Sequence, residues 1–358
     1  MTPQLQEKKM NKREFLFLYD AKDCIPNGDP FTGEQRYDED TQQALVSDVR
    51  LKRYIRDFID DSYDEEEVFY SDKKGKTTTG SRAMALSSEM MKVQGKKGTA
   101  EKEVLDIAKN LEQLKSKCID VRLFGTVVAG KEGQYNTQAT GAVQFKLFNR
   151  TLNKVFLPTT QNTSIMVSDE KNTQGSIATF SFLPYGLFSC IGYFNPTTGL
   201  ENGIQKSDLE KMKIALWNEI NLKNTRSKTG QQSRLLIEIE YNDNYYKIPD
   251  IEYSITLKNE QKFKYRQFDE IKGDLDFTKL IGFLNRSESL INTVKIYIDE
   301  FSFAKGFLSE VKKATSNENG KGESNKEKLL GETIENKIKY FAIKGKAIEE
   351  LNDETPSH

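Results

Sequence analysis

Between Arg13 and Asp60 the chain reads REFLFLYDAKDCIPNGDP, then a polar linker, then LVSDVRLKRYIRDFID, and no other stretch limits the fold as tightly. Every residue from Phe15 to Tyr19 is apolar or aromatic, which fits a strand covered on both faces. Pro26-Asn27-Gly28-Asp29-Pro30 then places turn-forming chemistry at nearly every position. A helix is expected from Ser47, with Ser47 as N-cap and Asp48 at the positive end of the helix dipole. Leu51, Ile55 and Phe58 or Ile59 recur at helical spacing as its buried stripe. Lys52, Arg53 and Arg56, with Arg50 beside them, crowd onto another face.

Bulk composition narrows the function classes. With 36% hydrophobic and 30% charged residues, the chain suits a folded core carrying large polar insertions, as one large domain or two average ones. A formal net charge of −1 offers no overall attraction for nucleic acid, so any such site must come from local segregation. Residues 71–100 show it, with Lys73, Lys74, Lys76, Arg82, Lys92, Lys96 and Lys97 against Asp72 and Glu89. An acidic run, 60–67, lies just upstream, and both runs also suit a solvated surface. Cys24, Cys118 and Cys190 have neither zinc-site nor disulfide-framework spacing, which fits a reducing cytoplasm, and no metal or cofactor is expected. No hydrophobic segment follows Met1 and no apolar run is long enough to span a bilayer, so neither a signal peptide nor a membrane anchor is expected. The single histidine is the last residue, His358, so histidine-based nucleophilic, acid–base and metal chemistry is excluded.

In chain order, residues 61–117 read as an insertion ending in a helix over 100–117. Strands are expected over Ile119–Val128 and Ala142–Phe148, joined by a polar loop, with a polar excursion at 158–181. A strand over Leu183–Phe194, a helix over Ser207–Leu222 and a strand over Leu235–Ile239 follow. Without the insertions the order is strand, helix, strand, strand, helix, strand. That predicts an α+β fold with a modified ferredoxin-like, RRM-like βαββαβ core bearing large insertions. An RNP1-type motif is not evident. Further strand-like runs lie at Ile251–Leu257 and Val294–Ile298, and residues 314–328 are low-complexity.

The opening strand with DAKDCIPNGDP and SDVRLKRYIRD resembles the N-terminal signature of the CRISPR-associated backbone subunit of type I-B Cascade, in the RAMP superfamily. VRLFGT at 121–126, GAVQFKLFN at 141–149 and FLPYGLF at 182–188 resemble later blocks of that family, in the same order. The resemblance covers roughly residues 13–241. It implies a palm core at 13–60, 118–157 and 182–310, a fingers-type insertion at 61–117, a thumb-type hairpin at 158–181 and a C-terminal tail at 311–358, with 314–328 flexible. By the resemblance Ser47, Arg50, Lys52, Arg53 and Arg56 contact guide RNA, and the Asn27–Gly28 loop brings backbone amides close. From the residues alone the same cations also suit a solvated face. Arg226, Lys228 and Arg234 suit a second phosphate-binding loop or an ordinary surface connection. Met166, within Ile165-Met166-Val167, is the expected apolar wedge at the thumb tip.

The expected partners are a CRISPR guide RNA, target DNA, further copies in a filament and other Cascade subunits, with no membrane. In the type III branch a loop aspartate helps cut bound RNA, and Asp23 and Asp29 are the matching candidates here. The signature is the type I one, so a non-catalytic protein is expected. The alternatives are a RAMP-type RNA endonuclease and a general single-stranded nucleic-acid-binding protein.

Overall fold

The computed structural model describes residues 10–75, 77–93, 111–129, 136–163, 177–258, 265–303, 307 and 332–351. Met166, most of the expected 100–117 helix, residues 314–328 and His358 lie outside them. From the N-terminus come β1 (Arg13–Cys24), β2 (Tyr37–Asp38), β3 (Gln43–Ser47) and α1 (Asp48–Ser62). These are followed by α2 (Thr79–Val93), α3 (Leu111–Lys117), α4 (Ile119–Phe124), β4 (Gly125–Ala129) and β5 (Asn136–Thr140). Next are β6 (Val143–Phe145), β7 (Phe148–Thr151), the pair β8 (Thr159–Thr163) and β9 (Ile177–Ser181), and β10 (Leu183–Phe194). After these come α5 (Pro196–Glu201), α6 (Lys206–Leu222), β11 (Gln231–Tyr241), β12 (Thr256–Leu257), α7 (Phe268–Lys272) and β13 (Leu275–Asp276). The last elements used below are α8 (Thr278–Arg286), β14 (Ile291–Ile298), β15 (Ile338–Lys344) and β16 (Ala347–Glu350).

The fold is mixed α+β around one large sheet, ordered β16-β15-β14-β11-β1-β10-β7-β3-β2, with β6 also paired to β10. Its pairs are antiparallel except β14 with β15. β1 sits near the middle, with Phe17 opposite Cys190 of β10 and Leu236 of β11. Side chains alternate across a strand, so Phe15, Phe17 and Tyr19 enter the core beneath α1 and α6. Leu16 and Leu18 enter a second core beneath residues 248–257 and 265–303, α8 among them. That explains an opening strand with no polar face. Burial of each large apolar side chain contributes roughly 1.5–3 kcal/mol.

Charge is buried in this core as well. On the helix side Glu238 of β11 meets Arg13 at 2.6 Å and Lys213 of α6 at 2.5 Å, and the Tyr297 hydroxyl lies 3.1 Å from it. Burial alone would raise the Glu238 carboxyl, but Lys213, Arg13 and Lys295 bring it down to about 2.

Three local expectations are corrected. Ile119–Val128 is not one strand: α4 ends at Gly125, and β4 pairs with β5 apart from the main sheet. Ile119, Leu123 and Phe124 face the main core, while Val121 faces a small core with Phe69, Leu86 and Val128. Ile119-Asp120-Val121-Arg122-Leu123 alternates apolar and charged residues, so a short helix wedged between two cores imitates a half-buried strand. Gly125 stops it at φ +76°, and its N–H bonds to the Val121 carbonyl. A Cβ there would lie 2.2 Å from the Ala139 carbonyl oxygen. The second correction is that Ala142–Phe148 divides into β6 and the start of β7. The third is that Ile251–Leu257 is a 3-10 turn and a two-residue strand that pairs only with β13; Ile251 and Ile255 are buried outside any ladder.

Candidate nucleic-acid interface

The turn after β1 is fastened to the start of α1 by one side chain. Asn27 Oδ1 accepts from the Ser47 N–H at 2.7 Å and the Ser47 hydroxyl at 2.9 Å. Ser47 Oγ then accepts from the Arg50 N–H at 3.3 Å, satisfying one of the open donors of the helix. Asn27 is 8% exposed, so it positions the turn and offers little surface of its own. The loop before β11 folds back onto the same place. Its carbonyls at Gly230 and Ser227 accept from the Lys22 and Ile25 N–H groups, both at 2.8 Å.

Two cations meet where turn, helix and loop converge. The Arg50 guanidinium lies 4.2 Å over the Tyr54 ring, and its Nε is buried without a hydrogen-bond partner. Tyr54 donates to Gln231 Oε1 at 3.0 Å, and Gln231 Nε2 donates to the Lys228 carbonyl at 2.9 Å. The Lys228 ammonium donates to the Ile25 carbonyl. Burial, and then the nearby charge of Arg50, pushes Lys228 down to about 8. Neither Arg50 nor Lys228 has a carboxylate partner among the described residues. Like charges held together at a helix N-terminus favour an anion between them.

The other expected contacts are differently placed. Lys52 pairs with Asp48 at 2.9 Å. Arg53 pairs with Asp57 at 2.6 Å and also with Asp72. Arg56 bonds the buried Asp120 at 2.9 Å, and that carboxylate also accepts from the Phe69 N–H at 2.7 Å. Arg234 lies between Asp20, at 3.0 Å, and Asp299, at 3.1 Å. The Arg226 guanidinium lies 4.9 Å over the Phe180 ring beside β9. The structure thus brings Arg50 and Lys228 together, and sets Lys52, Arg53, Arg56 and Arg234 in internal ion pairs. Arg82 and Lys73 of the basic run likewise pair with Glu67 and Asp61 of the acidic run.

Sequence reasoning missed Tyr54 and Gln231 as supports. A signal for Arg50 was available: Lys52 has Asp48, Arg53 has Asp57 and Arg56 has Asp60 at four residues' distance, whereas Arg50 has Val46 and Tyr54. The three cysteines are free and buried, and burial pushes the Cys24 thiol to about 12. Among the described residues no group of three or more His, Cys, Asp or Glu could hold a metal ion. No helix among them is long and apolar enough to cross a membrane.

A family model described as CRISPR-associated protein Cas7 matches residues 11–276. A relative from Haloferax volcanii, described as CRISPR-associated protein Cas7, is 27% identical over 310 residues, covering 81% of this chain and 87% of that protein. A chain of a solved CRISPR RNA-guided surveillance complex, pre-nicking, superposes with a TM-score of 0.47 at 13% identity, covering 80% of this chain and 92% of that one. A chain of another CRISPR RNA-guided surveillance complex gives 0.43 at 12% identity, covering 80% and 88%.

Proposed function

The chain belongs to the CRISPR-associated Cas7 family, and on that premise we propose that it is a non-catalytic backbone subunit of a Cascade-type complex, of subtype I-B, that binds CRISPR guide RNA. Several copies pack head-to-tail along one guide, a heterologous contact that does not close into a ring. The guide's bases are left to pair with target DNA, so sequence is recognised by pairing and the protein recognises backbone. Its partners are the guide, target DNA, neighbouring copies and other Cascade subunits, in the cytoplasm.

The observation that carries this reading is the Arg50–Lys228 pair, buried enough to repel and without a carboxylate among the described residues. In it the pair holds guide phosphate, Asn27 and Ser47 fix the turn and helix that present Arg50, and Lys52, Arg53 and Arg56 act as a secondary ridge. The order β11, β1, β10, β7, all antiparallel, supports a modified ferredoxin-like core made by β1, α1, β7, β10, α6 and β11. The separate small core around Phe69 and Leu86 supports a fingers-type unit, and the β8–β9 pair supports the base of a thumb.

Binding of single-stranded guide RNA across a salt series tests the site. The Arg50→Ala/Lys228→Ala variant should bind more weakly, with a log–log slope shallower by about 1.4, at roughly 0.7 per lost phosphate contact. Lys52→Ala/Arg53→Ala/Arg56→Ala should lose less. Unchanged binding in the first variant rejects the phosphate assignment, and cleaved RNA rejects the non-catalytic one.

A further inference from the structure

The sheet face carrying Leu16, Leu18 and Ile237 is covered by residues 248–257 and 265–303, and where that cover meets β7 it leaves a cleft of about 430 Å³. The floor is Phe148 and Arg150 of β7 with Ser189 and Ile191 of β10, and the wall is residues 252–257. This is the side of the sheet away from α1, so the cleft is separate from the Arg50–Lys228 pair.

Three observations describe what fits there. Ser189 Oγ is buried with no hydrogen-bond partner among the described residues, although buried polar atoms are ordinarily bonded. On the wall Tyr253 is 59% exposed, leaving an aromatic face open to a flat partner. Lys146 and Lys154 also line the cleft; Lys146 pairs with Glu252, and Arg150 of the floor pairs with Asp38. The Lys146 ammonium lies 6.0 Å from the Tyr253 ring centre. A cleft of mixed lining, with Phe148, Tyr253 and Ile255 beside one open hydroxyl and cations, complements a nucleobase with its phosphate at the mouth.

We propose that this cleft is a second single-stranded nucleic-acid site, which takes one unpaired base against Tyr253 and Phe148 and its phosphate on Arg150 and Lys154. Ser189 supplies a hydrogen bond to the base edge. The cleft engages a strand other than the one held at Arg50, so both can be bound at once.

The experiment saturates full-length protein with guide RNA and titrates it with a fluorescent oligothymidine. Tyr253→Ala should weaken oligothymidine binding about tenfold, the size expected for loss of one base–aromatic stack. Arg150→Gln should weaken it with a shallower salt dependence, and RNA affinity should stay unchanged in both. No oligothymidine binding by the RNA-saturated wild type, or equal binding by both variants, overturns the proposal. Self-association lost in Tyr253→Ala with oligothymidine binding intact also overturns it, because the cleft would then seat another protein copy. The guide-site reading fails on a different variant, Arg50→Ala/Lys228→Ala, so the two failures are distinguishable.

Discussion

At Lys228 a single proton links binding to pH. Its ammonium is held down to about 8 by burial and by Arg50. In the unfolded chain lysine keeps its proton to about 10.4, so between these values the unfolded state binds more protons. Folding stability from this group therefore rises with pH through that window. A phosphate between the two cations reverses the penalty on the charged form and restores the proton. RNA affinity should fall as pH rises from 7 to 9, and Lys228→Arg, which stays charged, should flatten that profile; fluorescence anisotropy across the range checks it. A profile equally steep in Lys228→Arg would remove Lys228 from the contact. The charge that matters was only partly legible in sequence. Four cations share α1, and only their spacing from Asp48, Asp57 and Asp60 sets Arg50 apart. Its companion Lys228 comes from a loop far along the chain, which no local pattern reports.

At the scale of elements, α1 depends on the preceding turn for its start. Asn27→Ala removes two bonds to Ser47, and Ser47→Ala removes the cap itself. Each should lower stability by ~1 kcal/mol, as N-cap losses do, measured by urea unfolding. No change in either would mean that other contacts hold the helix start. Ser47 and the stripe Leu51, Ile55, Phe58 and Ile59 were legible because they obey one period in one helix. β1, β10, α6 and β14 were legible for similar reasons of length and pattern. Residues 119–124 were not, since their burial comes from two cores, each contacting a different side. Ile251–Leu257 was misread because its apolar residues fill a core from a turn.

For the molecule as a whole, the two cores meet at the sheet, and the charges of Arg13, Lys213 and Glu238 are sealed between its strands and α6. Lys213→Met should destabilise by ~3–5 kcal/mol, because it leaves a buried carboxylate undercompensated. The same carboxylate, held at about 2, contributes stability above the ordinary carboxylate range and loses it as pH falls toward 2. Acid unfolding of the wild type and Lys213→Met should therefore converge at low pH; a gap that stays constant would place the cost elsewhere. The central position of β1 also has a consequence in time. Its flanking partners are β10 and β11, and the second is not complete until Tyr241. At synthesis rates of about 5–20 residues per second, β1 waits ~10–45 s after its own synthesis before β11 is complete. Over that interval the Leu16 and Leu18 face of β1 has neither its second neighbouring strand nor the residues that cover it, so a nascent chain halted before Tyr241 carries an unsatisfied strand edge.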